Sequence, residues 1–157
     1  MRIAVAIVTA FVIVTPVRAQ TPCAPAAGMA LKHPSARTIA TSFGIRPHPL
    51  LGGMRMHTGI DYPGPIGDPV RAAEAGIVTA AGYDGFHGNR IVIDHDNGLL
   101  TTYSHLSATR VAPGDCVAAG ALIGAIGNTG LATEPHLHFE VIGGGNAVDP
   151  LQFLPPE

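Results

Sequence analysis

Lysine is nearly absent from this chain: among 157 residues Lys32 is the only one, and charged residues of every kind make up 13%. A lipoyl- or biotinyl-type carrier must present a lysine on a hairpin. A lipoyl-like turn pattern does occur, in Pro69-Val-x-Ala-x-x-x-Gly76-x-Val78 and Pro113-Gly114-Asp115, but Lys32 lies outside it and a carrier is excluded. There is no run of Lys or Arg and the formal charge is −2, so neither nucleic acid nor an anionic membrane surface is expected as the main partner. Cysteine is limited to Cys23 and Cys116, and neither reads as a nucleophile, since nothing nearby supplies a base. No stretch beyond the N-terminus keeps a 3.6-residue period, which excludes long helices. The one long apolar run, Ile3 to Val14, falls short of the roughly 20 residues a spanning helix needs, so no stable membrane anchor is expected.

That run has Arg2 before it and Val17-Arg18-Ala19 after it, small residues at the spacing of a cleavage site, so residues 1–19 read as a signal peptide. The mature chain is then exported, periplasmic or secreted, and soluble from about Gln20. Lipid attachment at Cys23 is not expected, because Gln-Thr-Pro precedes it. Residues 20–37, dominated by Ala, Pro, Gly and Thr without period, read as a flexible N-terminal arm. Residues 38–157 read as one modest domain, in keeping with 46% hydrophobic residues overall. In an oxidising compartment Cys23 and Cys116 permit one disulfide, tying arm to domain, without requiring it.

From Pro69 onward short apolar runs alternate with Gly, Pro, Asn and Asp, the pattern of a mainly β domain, β-rich α+β at most. Gly76–Gly82 reads as a strand. The runs Arg90–His95 and Leu99–His105 flank Asp96-Asn97-Gly98, a strong hairpin signal. Pro113-Gly114-Asp115 and Gly127-Asn128-Thr129-Gly130 mark turns, and His136–Ile142 reads as a further strand.

The chemistry concentrates in Glu134-Pro-His136-Leu-His138-Phe-Glu140 and, upstream, His57-Thr-Gly-Ile-Asp61. Imidazole and carboxylate are what zinc takes, and a catalytic zinc site keeps three protein ligands and one open position. On a strand His136 and His138 share a face with Cα atoms about 6.6 Å apart. His57 and Asp61 would be roughly 13 Å apart in extended chain, too far for one ion, so a bend at Gly59 is expected, with Pro63 and Pro65 arguing against a helix. A third histidine, His105, closes a strand in Tyr103-Ser-His105-Leu. Three ligands plus two further histidines would supply a metal site, a base and an oxyanion donor. Spacing does not decide which of His136 and His138 is the ligand.

These motifs, in this order and with Thr41-Ser-Phe-Gly44-Ile-Arg46-Pro-His-Pro49 ahead of them, resemble the lysostaphin-type (LytM-type) zinc endopeptidases of peptidoglycan, and the opening is similar to their Gram-negative branch. The resemblance runs from about Thr38 to Leu154. It implies a single LytM-type domain in which an antiparallel sheet floors a narrow groove, one Zn2+ per chain on His57, Asp61 and His138, and catalysis by His105 and His136. It implies peptidoglycan stem peptides as substrate, with diaminopimelate cross-links favoured over glycine bridges. The alternative is a non-catalytic relative that activates a cell-wall amidase. Such relatives typically lack metal ligands, and here every position is filled. Restraint or targeting is expected from the arm or from a partner, whether a regulator or a secretion apparatus.

Around this set, Arg46 reads as a substrate-carboxylate contact or an exposed loop arginine. Glu140 reads as an acceptor orienting a metal-site histidine or a plain strand-edge carboxylate. His33, His48, His87 and His95 read as surface or turn histidines, His48 also as a candidate for the groove wall. Asn89 and Asp149 read as turn or strand-end residues.

Overall fold

The computed structural model describes Cys23 and residues 30–157; the expected signal peptide and most of the expected arm lie outside the described residues. Twelve strands follow in chain order: β1 (Gly44–Pro47), β2 (Met54–His57), β3 (Ile60–Pro63), β4 (Pro69–Arg71), β5 (Gly76–Asp84), β6 (Gly88–Asp94), β7 (Leu99–Leu106), β8 (Ala108–Thr109), β9 (Cys116–Val117), β10 (Leu122–Ala125), β11 (His136–Gly143) and β12 (Asn146–Val148). Among the described residues the single helix is a 3-10 turn, Pro150–Gln152, capped by the Asp149 carboxylate, and no helix is long and apolar enough to cross a membrane.

The main sheet is antiparallel in the order β12-β11-β7-β6-β5-β9, with β3 pairing the same edge of β11 as β12 but further toward its start. The expected β6–β7 hairpin turns through Asp96 and Gly98, both at positive φ. Outside this sheet stand a β1–β2 hairpin and a small sheet, β4-β10-β8. Period-two alternation sends Ile91, Ile93, Tyr103, Leu137, Phe139 and Val141 into one core.

Two expectations need correction. The end of the arm is not loose: Leu31 is 2% exposed, its N–H donates to the Phe153 carbonyl, Lys32 N–H to Ala73, and Pro34 accepts from Arg71. Burying Leu31, worth about 1.5–3 kcal/mol, and these three backbone hydrogen bonds fasten a segment that composition alone read as free. His95 is no surface histidine. It is fully buried, with Nδ1–H donating to the Ala75 carbonyl at 2.8 Å and Nε2 accepting from Thr101 at 2.8 Å. Thr101 in turn bonds the Tyr103 hydroxyl, which accepts the Ala73 N–H. Burial pushes the His95 pKa down, and a neutral ring with both nitrogens satisfied is tolerated in a core. His33 is half-buried between the Tyr62 hydroxyl and the Pro155 carbonyl. Cys23 and Cys116 are disulfide-bonded, their Cα atoms 5.6 Å apart.

Candidate active site and metal centre

Alternation divides β11 into two rows. Leu137, Phe139 and Val141 enter the core, so His136, His138 and Glu140 project from the opposite face. The neighbouring strands add to that polar row: Asp61 of β3 lies opposite His138, and Thr102 and Ser104 of β7 lie opposite Glu140 and His138. His57, at the end of β2, arrives through the turn Thr58-Gly59. A Cβ on Gly59 would stand 2.3 Å from the Phe139 carbonyl oxygen. Glycine is therefore required by the close passage of the turn over β11, and the expected bend has a steric basis.

The hydrogen bonds fix which nitrogen of each ring faces the centre. His57 Nδ1–H donates to the Ser42 carbonyl at 2.8 Å, which leaves the Nε2 lone pair inward, 3.2 Å from Asp61 Oδ1 and 3.1 Å from His138 Nδ1. His138 Nε2–H donates to Glu140 Oε1 at 3.2 Å, which turns Nδ1 inward, 2.8 Å from Asp61 Oδ1. Two imidazole lone pairs and a carboxylate oxygen thus converge, all within 4.8 Å of one another. Bases at this separation repel unless a cation lies among them. Burial alone would push His138 down, but the carboxylates of Asp61 and Glu140 hold it up at about 9. Burial would likewise raise Asp61, yet His138 and His57 keep it well below the usual carboxylate range. The same opposition leaves Glu140 at about 2, with burial overcome by His138, Thr58 and Thr102. Two nitrogens and one oxygen suit zinc, and Glu140 stands where it would fix His138 were that ring to ligate a metal.

His105 reaches the same site by breaking the strand pattern. Tyr103 pairs with Phe139 on the core face and Ser104 with His138 on the site face, so regular alternation would send His105 toward the core. Its φ of 62° reverses this. The ring comes to 4.8 Å from that of His136 and 6.0 Å from that of His138, centroid to centroid. A left-handed backbone at a non-glycine residue is costly and persists where surrounding contacts hold it. Here the His105 N–H donates to the His87 carbonyl, and Nδ1–H to the Thr129 carbonyl at 2.8 Å. Burial pushes His105 down to about 4, with the Thr129 bond opposing, so the ring is neutral near pH 7 and its Nε2 lone pair is free. His136 donates Nδ1–H to the Glu134 carbonyl at 2.8 Å and likewise keeps Nε2 for the site.

The five side chains open on a groove of about 740 Å³, walled by the β1–β2 hairpin, the turn at Phe86 and His87, and the loop from Leu131 to Glu134. Arg46 is not a loop arginine: it lies on β1, lines the groove, and its Nη2 is 3.3 Å from Asp61 Oδ2. His48 lines the hairpin wall, as does His87 the opposite rim, the latter held at Nδ1 by Asp84. Asn89 is a strand residue that ties Leu106 to Thr129 through its side-chain and backbone N–H groups.

Sequence reasoning missed the groups that orient this set: the carbonyls of Ser42, Thr129 and Glu134, the Thr58 and Thr102 hydroxyls on Glu140, and Arg90, 3.8 Å from Glu140. Carbonyls leave no trace in residue type. Thr102 would have been found had the pairing of β7 with β11 been known.

The pattern that defines peptidase family M23 matches residues 55–150, and the chain belongs to that family. It is 47% identical over 118 residues to the DD-carboxypeptidase/endopeptidase Mpg of Neisseria meningitidis, a match covering 75% of this chain and 27% of Mpg. The fold superposes with a TM-score of 0.71 on a zinc-containing peptidase from Vibrio cholerae, at 37% identity over 76% of this chain and 39% of that one. With the catalytic domain of the antimicrobial peptidase lysostaphin from Staphylococcus simulans the TM-score is 0.68 at 36% identity, over 74% of this chain and 91% of that domain. The nearly all-β, single-domain M23 architecture is thereby established, and the chain spans about a quarter of the length of Mpg.

Proposed function

We propose that this chain is an exported zinc-dependent endopeptidase that hydrolyses peptide cross-links of peptidoglycan, with residues 1–19 as its export signal. One observation carries the reading: three lone-pair donors, His57, Asp61 and His138, converge beside two histidines, His105 and His136, whose Nε2 atoms face the same groove. The three would hold one zinc ion per chain. Zinc bound there supplies a Lewis acid that polarises a scissile carbonyl and makes a water acidic. His105 and His136 do the remaining work. Each has Nδ1–H tied to a backbone carbonyl, so each presents Nε2, able to take a proton from the attacking water or, once protonated, to donate to the oxyanion or leaving amine. Glu140 keeps His138 turned inward, and the groove holds an extended peptide across the site. The likeness to Mpg, named for DD-carboxypeptidase and endopeptidase activity, supports a D,D-linked stem peptide as the substrate.

The test is mass analysis of cross-linked muropeptide dimers incubated with purified protein. Monomers should appear with zinc and disappear with chelator. Intact dimers in both samples would overturn the reading.

A further inference from the structure

The β1–β2 hairpin presents two unlike faces. Its register sets Ile45 opposite Met56 and Arg46 opposite Arg55, and directly opposite residues share a face. Ile45, Pro47, Met54 and Met56 form one face, whereas Arg46 and Arg55 lie with His57 on the other; all three line the groove, which Met56 also borders. Like charges directly opposite destabilise a two-stranded ribbon, so this placement needs compensation. Arg46 has it, in Asp61 at 3.3 Å. Arg55 does not: its Nε–H reaches the Gly52 carbonyl at 3.4 Å, and no carboxylate pairs with it among the described residues. Of the carboxylates on the groove, Asp61 is engaged by Arg46 and the two histidines, and Glu134 sits on the loop before β11.

Arg55 stands two residues before His57 on one strand face, with Cα atoms roughly 7 Å apart. An extended peptide advances about 3.3–3.6 Å per residue. For a peptide laid along β2, a guanidinium there meets groups one or two residues from the bond held over the metal donors. We propose that Arg55 is a specificity-determining residue, which binds a free substrate carboxylate one or two residues from the scissile bond. The preferred substrates are then stem peptides that keep a free carboxylate at that position, over the same peptides with that group amidated. The inference rests on the peptidase reading above and deepens it.

The experiment compares two cross-linked muropeptide dimers that differ only in whether the diaminopimelate carboxylates are free or amidated. Zinc-loaded protein should favour the acid form by about ten- to a hundredfold in kcat/KM, the range of one charge-assisted hydrogen-bonded pair, and mainly through KM. Arg55→Gln should lose most on the acid form, so that the ratio falls toward one. Arg55→Lys should keep only part of it, because an ammonium lacks the two-point fork. Arg110→Gln, at an exposed site outside the groove, should leave the ratio where it was. Equal hydrolysis of the two dimers by the native protein, or an undiminished preference in a folded Arg55→Gln variant, would overturn the assignment while leaving the peptidase reading intact. If neither dimer is cut, the peptidase reading falls, and calorimetric binding of the same dimers still decides: tighter binding of the acid form, lost in Arg55→Gln, supports the role of Arg55, and equal affinities overturn it.

Discussion

Replacing Glu140 by Gln keeps the shape of the side chain behind His138 and removes its charge. The native carboxylate accepts His138 Nε2–H at 3.2 Å and the hydroxyls of Thr58 and Thr102, and this turns Nδ1 toward Asp61 and His57. Loss of such an outer partner typically lowers metal affinity 10- to 100-fold, about 1.4–2.7 kcal/mol. A second effect of the charge opposes the first. His138 is held at about 9 by Asp61 and Glu140 against the effect of burial, and ligation requires the neutral ring, so zinc must displace a proton near pH 7. Apparent affinity should therefore climb about tenfold per pH unit and level off as the pH passes 9. Without the Glu140 charge the proton is held less tightly, so the deficit of the variant should be smallest near neutrality and widest above pH 9. For folding in the absence of zinc the sign is reversed. A raised histidine pKa contributes stability that is complete below its ordinary value near 6.5 and is lost as pH rises through about 9. Competition with a chromogenic chelator near pH 7 and just above pH 9 reads both affinities, with circular dichroism to verify the fold. Equal zinc affinity of native protein and folded Glu140→Gln at both values would refute the account of how His138 is oriented.

Alanine at His57, Asp61 or His138 should sharply reduce bound zinc while His105→Ala retains it; full zinc in His57→Ala by elemental analysis would remove His57 from the site. Alanine at His105 or His136 should lower turnover by about 10²–10⁴ with zinc and fold preserved, and the double variant by less than the product. Near-normal hydrolysis by zinc-replete His136→Ala would make that residue a packing group. Reducing the disulfide between Cys23 and Cys116, 93 residues apart, should cost up to a few kcal/mol and lower Tm with zinc retained, whereas an unchanged Tm would show that the arm is held by packing alone.

Residue types and short periods made much of the protein legible without coordinates. The hairpin at Asn97-Gly98, the strand from His136, the common face of His136 and His138, and the need for a bend at Gly59 all follow from local chemistry, because turn torsions and period-two alternation are properties of a few adjacent residues. The resemblance of the motifs then assigned roles that spacing left open between His136 and His138. Long-range contacts were not legible. Leu31 sits in an Ala- and Pro-rich stretch that reads as loose, and what holds it down, the core it covers and the Phe153 carbonyl, lies far along the chain. His95 follows a strand and precedes a turn, so local pattern placed it outside, whereas its partners are Ala75, in the bend before β5, and Thr101, on β7.

The sequence by itself determined which side chains could take a metal and that they would lie on strands and turns of a β domain, since ligand chemistry and alternation are local. Only the tertiary structure decided that Asp61 faces His138 across paired strands, that Ser42 and Glu140 select the inward nitrogens, and that Arg46 reaches Asp61. The clearest case is His105. Alternation along β7 aims it at the core, and only the contacts of β7 with the His87 and Thr129 carbonyls sustain the left-handed backbone that swings it to His136. Pairing between segments far apart in sequence sets such a torsion, and no short stretch of sequence encodes it.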